Sequence, residues 1–199
     1  MKWRWQDLGW MIAALVLCGA TPVRADDLLP QPGAWELGLR TGYSVGLRKH
    51  AEMVPVNLRL GYTLFKGQKW FLPPGALEVG VEPFASVITS IRPGTNGSLE
   101  LGAGLPMITY YFDLGNHIYP YMEGGLGLLY TDLRGYRLGG HFSFTEMAGV
   151  GAMYFLQNNL ALNVGWRFRH ISNAKLYHDN VGLESGIVLA GFTYFLPQH

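Results

Sequence analysis

Apolar residues alternate one by one with small or charged residues through most of this chain. Between positions 160 and 168 every even position is apolar, with Leu160, Leu162, Val164, Trp166 and Phe168. The odd positions between them are Ala161, Asn163, Gly165 and Arg167. A strand points successive side chains to opposite faces, so this spacing predicts a β-strand with one apolar face.

Eight segments of the chain carry this alternation, with Gly, Pro or Asn between them. They lie at about 34–46, 53–65, 75–88, 98–112, 118–132, 140–155, 160–173 and 181–196. A tilted strand needs about 10 residues to cross a bilayer, and each segment is long enough. The pattern predicts an all-β protein, an eight-stranded antiparallel transmembrane β-barrel.

The charged face would fill the interior of this barrel with paired carboxylates and guanidiniums. It consists of Glu36, Arg40, Arg59, Glu78, Glu82, Glu100, Asn163 and Arg167. On the fourth strand, Met107 is expected on the lipid side with Leu101 and Leu105. Aromatic residues near the strand ends predict girdles at the two membrane interfaces. They are Tyr43, Tyr62, Phe65, Trp70, Tyr110, Tyr111, Tyr130, Tyr154, Tyr194 and Phe195.

Composition separates a membrane barrel from a soluble one. A soluble lipocalin-like barrel or β-sandwich would expose its polar face and need a highly charged surface. Charged residues make up only 15% of this chain and hydrophobic residues 49%, against a usual charged content of about a quarter. The balance favours the membrane barrel, and the net charge of +1 gives no argument for nucleic-acid binding.

The N-terminus carries the features of a secretory signal peptide. Lys2 and Arg4 precede an apolar stretch, and Val23-Arg24-Ala25 offers a small-x-small cleavage site. Residues 1–25 are therefore expected to be removed, leaving 26–199 as the barrel. An uncleaved anchor is the alternative, although the apolar stretch is short for a spanning helix. The single cysteine lies in the signal segment, which excludes disulfides and cysteine-based metal sites from the mature chain.

A histidine and a serine extend the apolar face of the seventh strand. His170 and Ser172 share that face because they are two residues apart, at about 6.6 Å of rise. Glu184, on the neighbouring strand, also has the lipid-facing parity. A histidine can activate a serine hydroxyl, and a carboxylate can stabilise the imidazolium. The three residues could form a triad or be a chance grouping of strand-end residues.

The motif that contains these residues resembles a known family. His-x-Ser-Asn-Ala at 170–174, followed by Asn180, Gly182 and Glu184, is similar to the lipid A 3-O-deacylases, a family of outer-membrane acyloxyacyl hydrolases. The similarity covers about 165–196. It implies an eight-stranded barrel with a Ser-His-Glu triad on its outer surface.

The resemblance also assigns a role to each residue. Ser172 would be the nucleophile, His170 the general base and Glu184 the orienting acid. Asn180 would donate to the oxyanion, helped by a backbone N–H of the loop that begins at Asn173.

This chain departs from the family pattern at one loop position. Family members often have glycine where Lys175 stands here, and the change bears on the second oxyanion donor. Arg48, Lys49 and Lys175 belong to outer loops, where they could contact lipid A phosphates or be solvated.

The expected function is an outer-membrane serine esterase that hydrolyses the 3-O-linked acyl chain of lipid A. Its partners would be lipopolysaccharide in the outer leaflet and the membrane, with no nucleic acid and no cofactor, and a homodimer is left open. His178 and Asp179 have too few neighbouring ligands for a metal site, so none is expected. The alternatives are a non-catalytic structural or adhesin barrel and a glycerophospholipid acyl hydrolase.

Overall fold

The strands of this protein close into a barrel. The computed structural model describes residues 28–47, 51–69, 72–91, 98–115, 117–133 and 138–196. The strands are β1 (Trp35–Gly46), β2 (Ala51–Lys69), β3 (Leu72–Ile91), β4 (Ser98–Phe112), β5 (Ile118–Thr131), β6 (Phe142–Gln157), β7 (Leu160–Ser172) and β8 (Leu183–Phe195). Each strand pairs antiparallel with the next, and β8 pairs with β1. The predicted eight-stranded antiparallel β-barrel is confirmed.

The signal peptide predicted at 1–25 lies outside the described residues. Within the described part of the chain, no helix is long and apolar enough to cross a bilayer.

β2 and β3 are longer than predicted, because their hairpin continues to the pair Lys69–Leu72. Pro73 and Pro74 fall between the second and third predicted segments, but they belong to β3 beyond its last pair with β4, where a strand tolerates proline.

The middle of the barrel interior is an ion-pair layer. All the residues predicted to face inward are buried: Glu36, Arg40, Arg59, Glu78, Glu82, Glu100, Asn163 and Arg167. Arg40 and Arg167 each contact both Glu82 and Glu123. Glu123 was missed in the sequence because glycines blur the alternation of β5.

Apolar clusters lie in the interior on either side of this layer. At the end that holds both termini, the cluster includes Leu28, Leu29, Tyr111, Tyr119, Phe155 and Phe195. At the opposite end it includes Leu129, Leu133, Leu138, Ile171 and Leu183. Tyr111 and Phe195 therefore belong to the interior and not to the predicted aromatic girdles, because they have the inward parity of their strands. Trp70 lies outside the described residues.

The expected position of Met107 on the lipid side is wrong. Its side chain is 0% exposed inside the barrel. The β4–β5 register shifts between Gly104 and Met107, where Leu105 and Pro106 are both exposed. An extra residue in the strand reverses the parity that follows it, and proline favours such a bulge because it cannot donate to the ladder.

The two rims of the barrel differ in the lengths of their connections. β1 begins and β8 ends at one rim, whereas β7 ends with Ser172 at the other. The connections at the Ser172 rim are 47–50, 92–97, 132–141 and 173–182, and those at the opposite rim are 70–71, 113–117 and 158–159, so the longer connections lie mostly at the Ser172 rim. Outer-membrane barrels have short periplasmic turns and longer extracellular loops. The Ser172 rim therefore corresponds to the extracellular rim of such a barrel.

Candidate functional site

His170 and Glu184 face each other across β7 and β8. They are direct partners in the strand register, and His170 Nδ1 lies 3.9 Å from Glu184 Oε1. Both side chains are 30% exposed on the outer surface of the barrel. The distance exceeds that of a hydrogen bond, but contacts in catalytic sites are often long before substrate binds.

Ser172 is the last residue of β7, two positions beyond His170 on the same face. Its neighbour on β6 is Phe144. Because Nδ1 of His170 faces Glu184, Nε2 is the ring nitrogen left for the serine. Among the hydrogen bonds of the described residues, none joins Ser172 to His170. The structure brings the three predicted residues to one patch and leaves the serine–histidine contact unmade.

Gly182 sets how closely the chain passes the histidine ring. It has a φ of +71°, in the region that favours glycine. A Cβ at this position would lie 3.0 Å from Cε1 and 3.6 Å from Nε2 of His170. A side chain at position 182 would therefore press on the edge of the ring that carries Nε2.

The loop after Ser172 orients Asn180. The N–H of Asn173 donates to Asn180 Oδ1 at 3.0 Å. This bond fixes the amide of Asn180 so that Nδ2 is the atom left to donate elsewhere. The backbone N–H of Asn173 is thus hydrogen-bonded within the loop, and Asn173 itself is 0% exposed. The two asparagines predicted for substrate binding thus contact each other, with Asn180 as the outer member.

The loop reverses direction in a tight turn just beyond the serine. The N–H of Leu176 donates to the carbonyl of Asn173 at 2.9 Å. The two central residues, Ala174 and Lys175, have φ of 50° and 67°. Two successive left-handed residues define a type I′ turn, which usually contains glycine or asparagine. Lys175 therefore occupies a left-handed position, which explains why glycine suits it.

An apolar groove of about 860 Å³ runs down the outer surface from this patch. Its floor contains Gly124 and Ala148, which are register partners on β5 and β6. Its walls are formed by Ile108, Met122 and Leu126 on one side and Val150, Trp166 and Phe168 on the other. Glu146 lies at the end nearest the patch, as the register partner of His170 on β6.

The described residues hold no group of three or more His, Cys, Asp or Glu arranged to bind a metal. His178 Nδ1 lies 3.7 Å from Asp179 Oδ1, and both side chains are exposed. A serine, a histidine and a carboxylate are groups that can hydrolyse an ester in other enzymes.

The family model for lipid A 3-O-deacylase (PagL) matches residues 56–193, well over half of the chain and the whole patch. This chain belongs to the PagL family of lipid A 3-O-deacylases. Family and fold together place it in the bacterial outer membrane. No curated protein sequence matches it.

Two solved structures share the fold of this family member. A crystal structure of the outer membrane enzyme PagL has a TM-score of 0.58 at 22% identity, covering 80% of this chain and 98% of that one. Neisserial surface protein A (NspA) also has a TM-score of 0.58, at 17% identity, covering 82% and 97%. At these identities the likeness shows the barrel and carries no statement about activity.

Residues that support the site from other loops were not found in the sequence. Leu138, Gly139 and Gly140 of the β5–β6 loop contact Asn173 or Tyr177 of the β7–β8 loop. Both loops are irregular, so no periodicity indicates that they meet. The Gly-Gly pair was the available signal, since paired glycines often mark a close approach.

Proposed function

We propose that this PagL family member is a serine esterase that removes the 3-O-linked hydroxyacyl chain from lipid A. The observation that carries the proposal is the His170–Glu184 pair on the outer surface, with Ser172 two residues along the same strand face. Its position at the extracellular rim suits a substrate in the outer leaflet.

Each step uses a group at the patch. Ser172 Oγ attacks the ester carbonyl as His170 Nε2 takes its proton, and Glu184 stabilises the imidazolium. Asn180 Nδ2 donates to the oxyanion. As the carbon–oxygen bond to the sugar breaks, the imidazolium protonates the departing sugar oxygen, which leaves as a hydroxyl, and an acyl-enzyme remains. Water activated by His170 releases the fatty acid and restores Ser172.

The groove provides a place for the acyl chain. It is apolar, opens toward the membrane, and begins beside Phe168, two residues below His170. Its volume falls within the usual range for ligand sites, about 300–1,000 Å³. Glu146 at its upper end is a hydrogen-bond acceptor that suits the hydroxyl of a hydroxyacyl chain. These features favour a hydroxylated fatty ester as the substrate.

The test is incubation of the purified barrel with lipopolysaccharide, followed by mass spectrometry of the lipid A. The wild type should release one hydroxyacyl group. Ser172→Ala should lower the rate by at least three orders of magnitude, since the nucleophile is gone. Ser98→Ala, on β4 at the same rim, is the matched control and should keep wild-type activity.

Other results would contradict the proposal. Near wild-type deacylation by Ser172→Ala would rule out the serine mechanism. Release of fatty acid from glycerophospholipid vesicles but not from lipopolysaccharide would make the protein a phospholipid acyl hydrolase. No release from either substrate would favour a non-catalytic barrel.

A further inference from the structure

Two extracellular loops are joined at the candidate site. Asn173 Nδ2 donates to the carbonyl of Leu138 in the β5–β6 loop and to the carbonyl of Asp179 in its own loop, both at 2.6 Å. Asn173 Oδ1 accepts the N–H of Lys175 at 2.8 Å. One buried amide therefore fixes the β7–β8 loop at two points and ties it to the neighbouring loop.

A tyrosine packs directly on the glycine pair of the β5–β6 loop. A Cβ added to Gly140 would lie 2.2–2.6 Å from atoms of the Tyr177 ring. A Cβ on Gly139 would lie 2.6 Å from Tyr177 Cβ and 2.8 Å from the carbonyl oxygen of Asp179. Gly139 also has a φ of +72°, which favours glycine. The β7–β8 loop can approach this closely only because both positions lack side chains.

The glycine pair is anchored to the barrel interior through the residue that precedes it. Leu138, immediately before it, is 1% exposed and belongs to the apolar cluster that fills the extracellular end of the barrel interior. That cluster also contains Ile171 and Leu183, which flank the patch on β7 and β8. The contacts run without a break from the packed interior through Leu138 to Asn173, and from Asn173 to Asn180.

We propose that residues 138–140 and Tyr177 are positioning residues of the oxyanion hole. They hold the β7–β8 loop so that Asn180 Nδ2 points at the place where negative charge develops. The proposal rests on the proposed function, in which Asn180 is the donor. Oxyanion contacts form fully only in the transition state, so disturbing them lowers kcat and leaves KM nearly unchanged.

The experiment disturbs the contact between Gly140 and Tyr177 from both sides. Gly140→Ala makes a Cβ collide with the Tyr177 ring and displaces the β7–β8 loop. It should lower kcat about 10- to 100-fold, with KM within about twofold of wild type. Tyr177→Ala should lower kcat less, because it removes packing without a clash. In the Tyr177→Ala background, Gly140→Ala should have no further effect, since its collision partner is gone. Tyr177→Phe keeps the ring and should restore most of the activity lost in Tyr177→Ala.

A second measurement separates positioning from folding and from the choice of substrate. The side-chain amide resonance of Asn180, assigned by its loss in Asn180→Ser, should shift in ¹⁵N-labelled Gly140→Ala. Labelling of Ser172 by a fluorophosphonate, which also uses the oxyanion hole, should slow in parallel. If lipid A is not deacylated at all, the proposed function fails, and these two readouts still decide the loop proposal. An unchanged Asn180 resonance in Gly140→Ala would overturn the loop proposal. It would also be overturned if Gly140→Ala and Tyr177→Ala lowered kcat independently of each other and only in proportion to a lower unfolding temperature.

Discussion

Glu184 distinguishes a triad from a histidine and serine that are neighbours by chance. Its carboxylate lies 3.9 Å from His170 Nδ1 on the outer face of the barrel, where a charged group without a partner would be costly beside lipid. Glu184→Ala should lower kcat by about two or more orders of magnitude, less than Ser172→Ala does, because nucleophile and base remain. Glu184→Asp should fall between, since the shorter side chain reaches less far. A folded Glu184→Ala barrel with full deacylase activity would exclude the triad.

Substitution of Lys175 tests whether its ammonium group binds substrate or whether its side chain only strains a left-handed backbone position. With φ of 67° it carries a conformational cost of about 1 kcal/mol relative to glycine. Lys175→Gly should therefore raise the unfolding temperature slightly and keep or raise activity. Ala174→Gly, at φ of 50°, is the uncharged control and should show the same gain. A clear loss of activity in Lys175→Gly alone would show that the ammonium binds substrate, as a phosphate ligand.

At the scale of strands, the two-residue alternation predicted most of the barrel correctly. It failed where the backbone departs from a regular ladder. The register shift between Gly104 and Met107 on β4 reverses which residues face inward and outward after it. The pattern of apolar residues does not reveal where such a bulge lies. On β5 the outward positions include Gly124, which has no side chain to show its face, so the inward Glu123 went unnoticed.

The site shows the same division. The shared outward face of His170, Ser172 and Glu184 was predictable because each lies on a strand, where parity decides the face. Tyr177 and Leu138 lie in two irregular loops that meet only in three dimensions. Their contacts depend on backbone atoms and on glycines, which carry no hydrophobic pattern.

The groove on strands β4–β7 allows a test of chain accommodation. Ala148 lies on its floor, so Ala148→Leu should fill the groove beside Phe168 and shift the preference toward shorter acyl chains. Removing or adding a few methylene contacts in an apolar site changes discrimination by about 1–3 kcal/mol, or 10- to 200-fold. Ala190→Leu, an outward-facing alanine on β8 away from the groove, is the matched control. Competition between esters of different chain length measures the effect, and an unchanged preference would place the acyl chain elsewhere.

At the scale of the whole molecule, the site lies on a barrel whose interior is packed with side chains of the described residues. Apolar clusters fill both ends, and the ion-pair layer fills the middle. Arg169, between Phe168 and His170, points inward and pairs with Glu100. β7 is therefore anchored by charged contacts on its inner face while its outer face carries His170 and Ser172. A rigid strand of this kind suits a site that must hold three groups in register at a membrane surface.

Arg167 tests how much the ion-pair layer stabilises this barrel. Its guanidinium is 1% exposed and contacts Glu82 and Glu123, so Arg167→Met leaves two buried carboxylates with fewer partners. Breaking a buried pair from one side costs about 3–5 kcal/mol. The lower end is expected here, because Arg40 still contacts both carboxylates.

The readout is the temperature at which the folded barrel loses its distinct mobility in gels. Adding Glu123→Gln to Arg167→Met removes one stranded charge, and the double variant should be less destabilised than the two single losses added together. Simple additivity would mean that the two side chains act separately. The barrel would then depend on its apolar clusters and strand pairing, and not on a connected charge network.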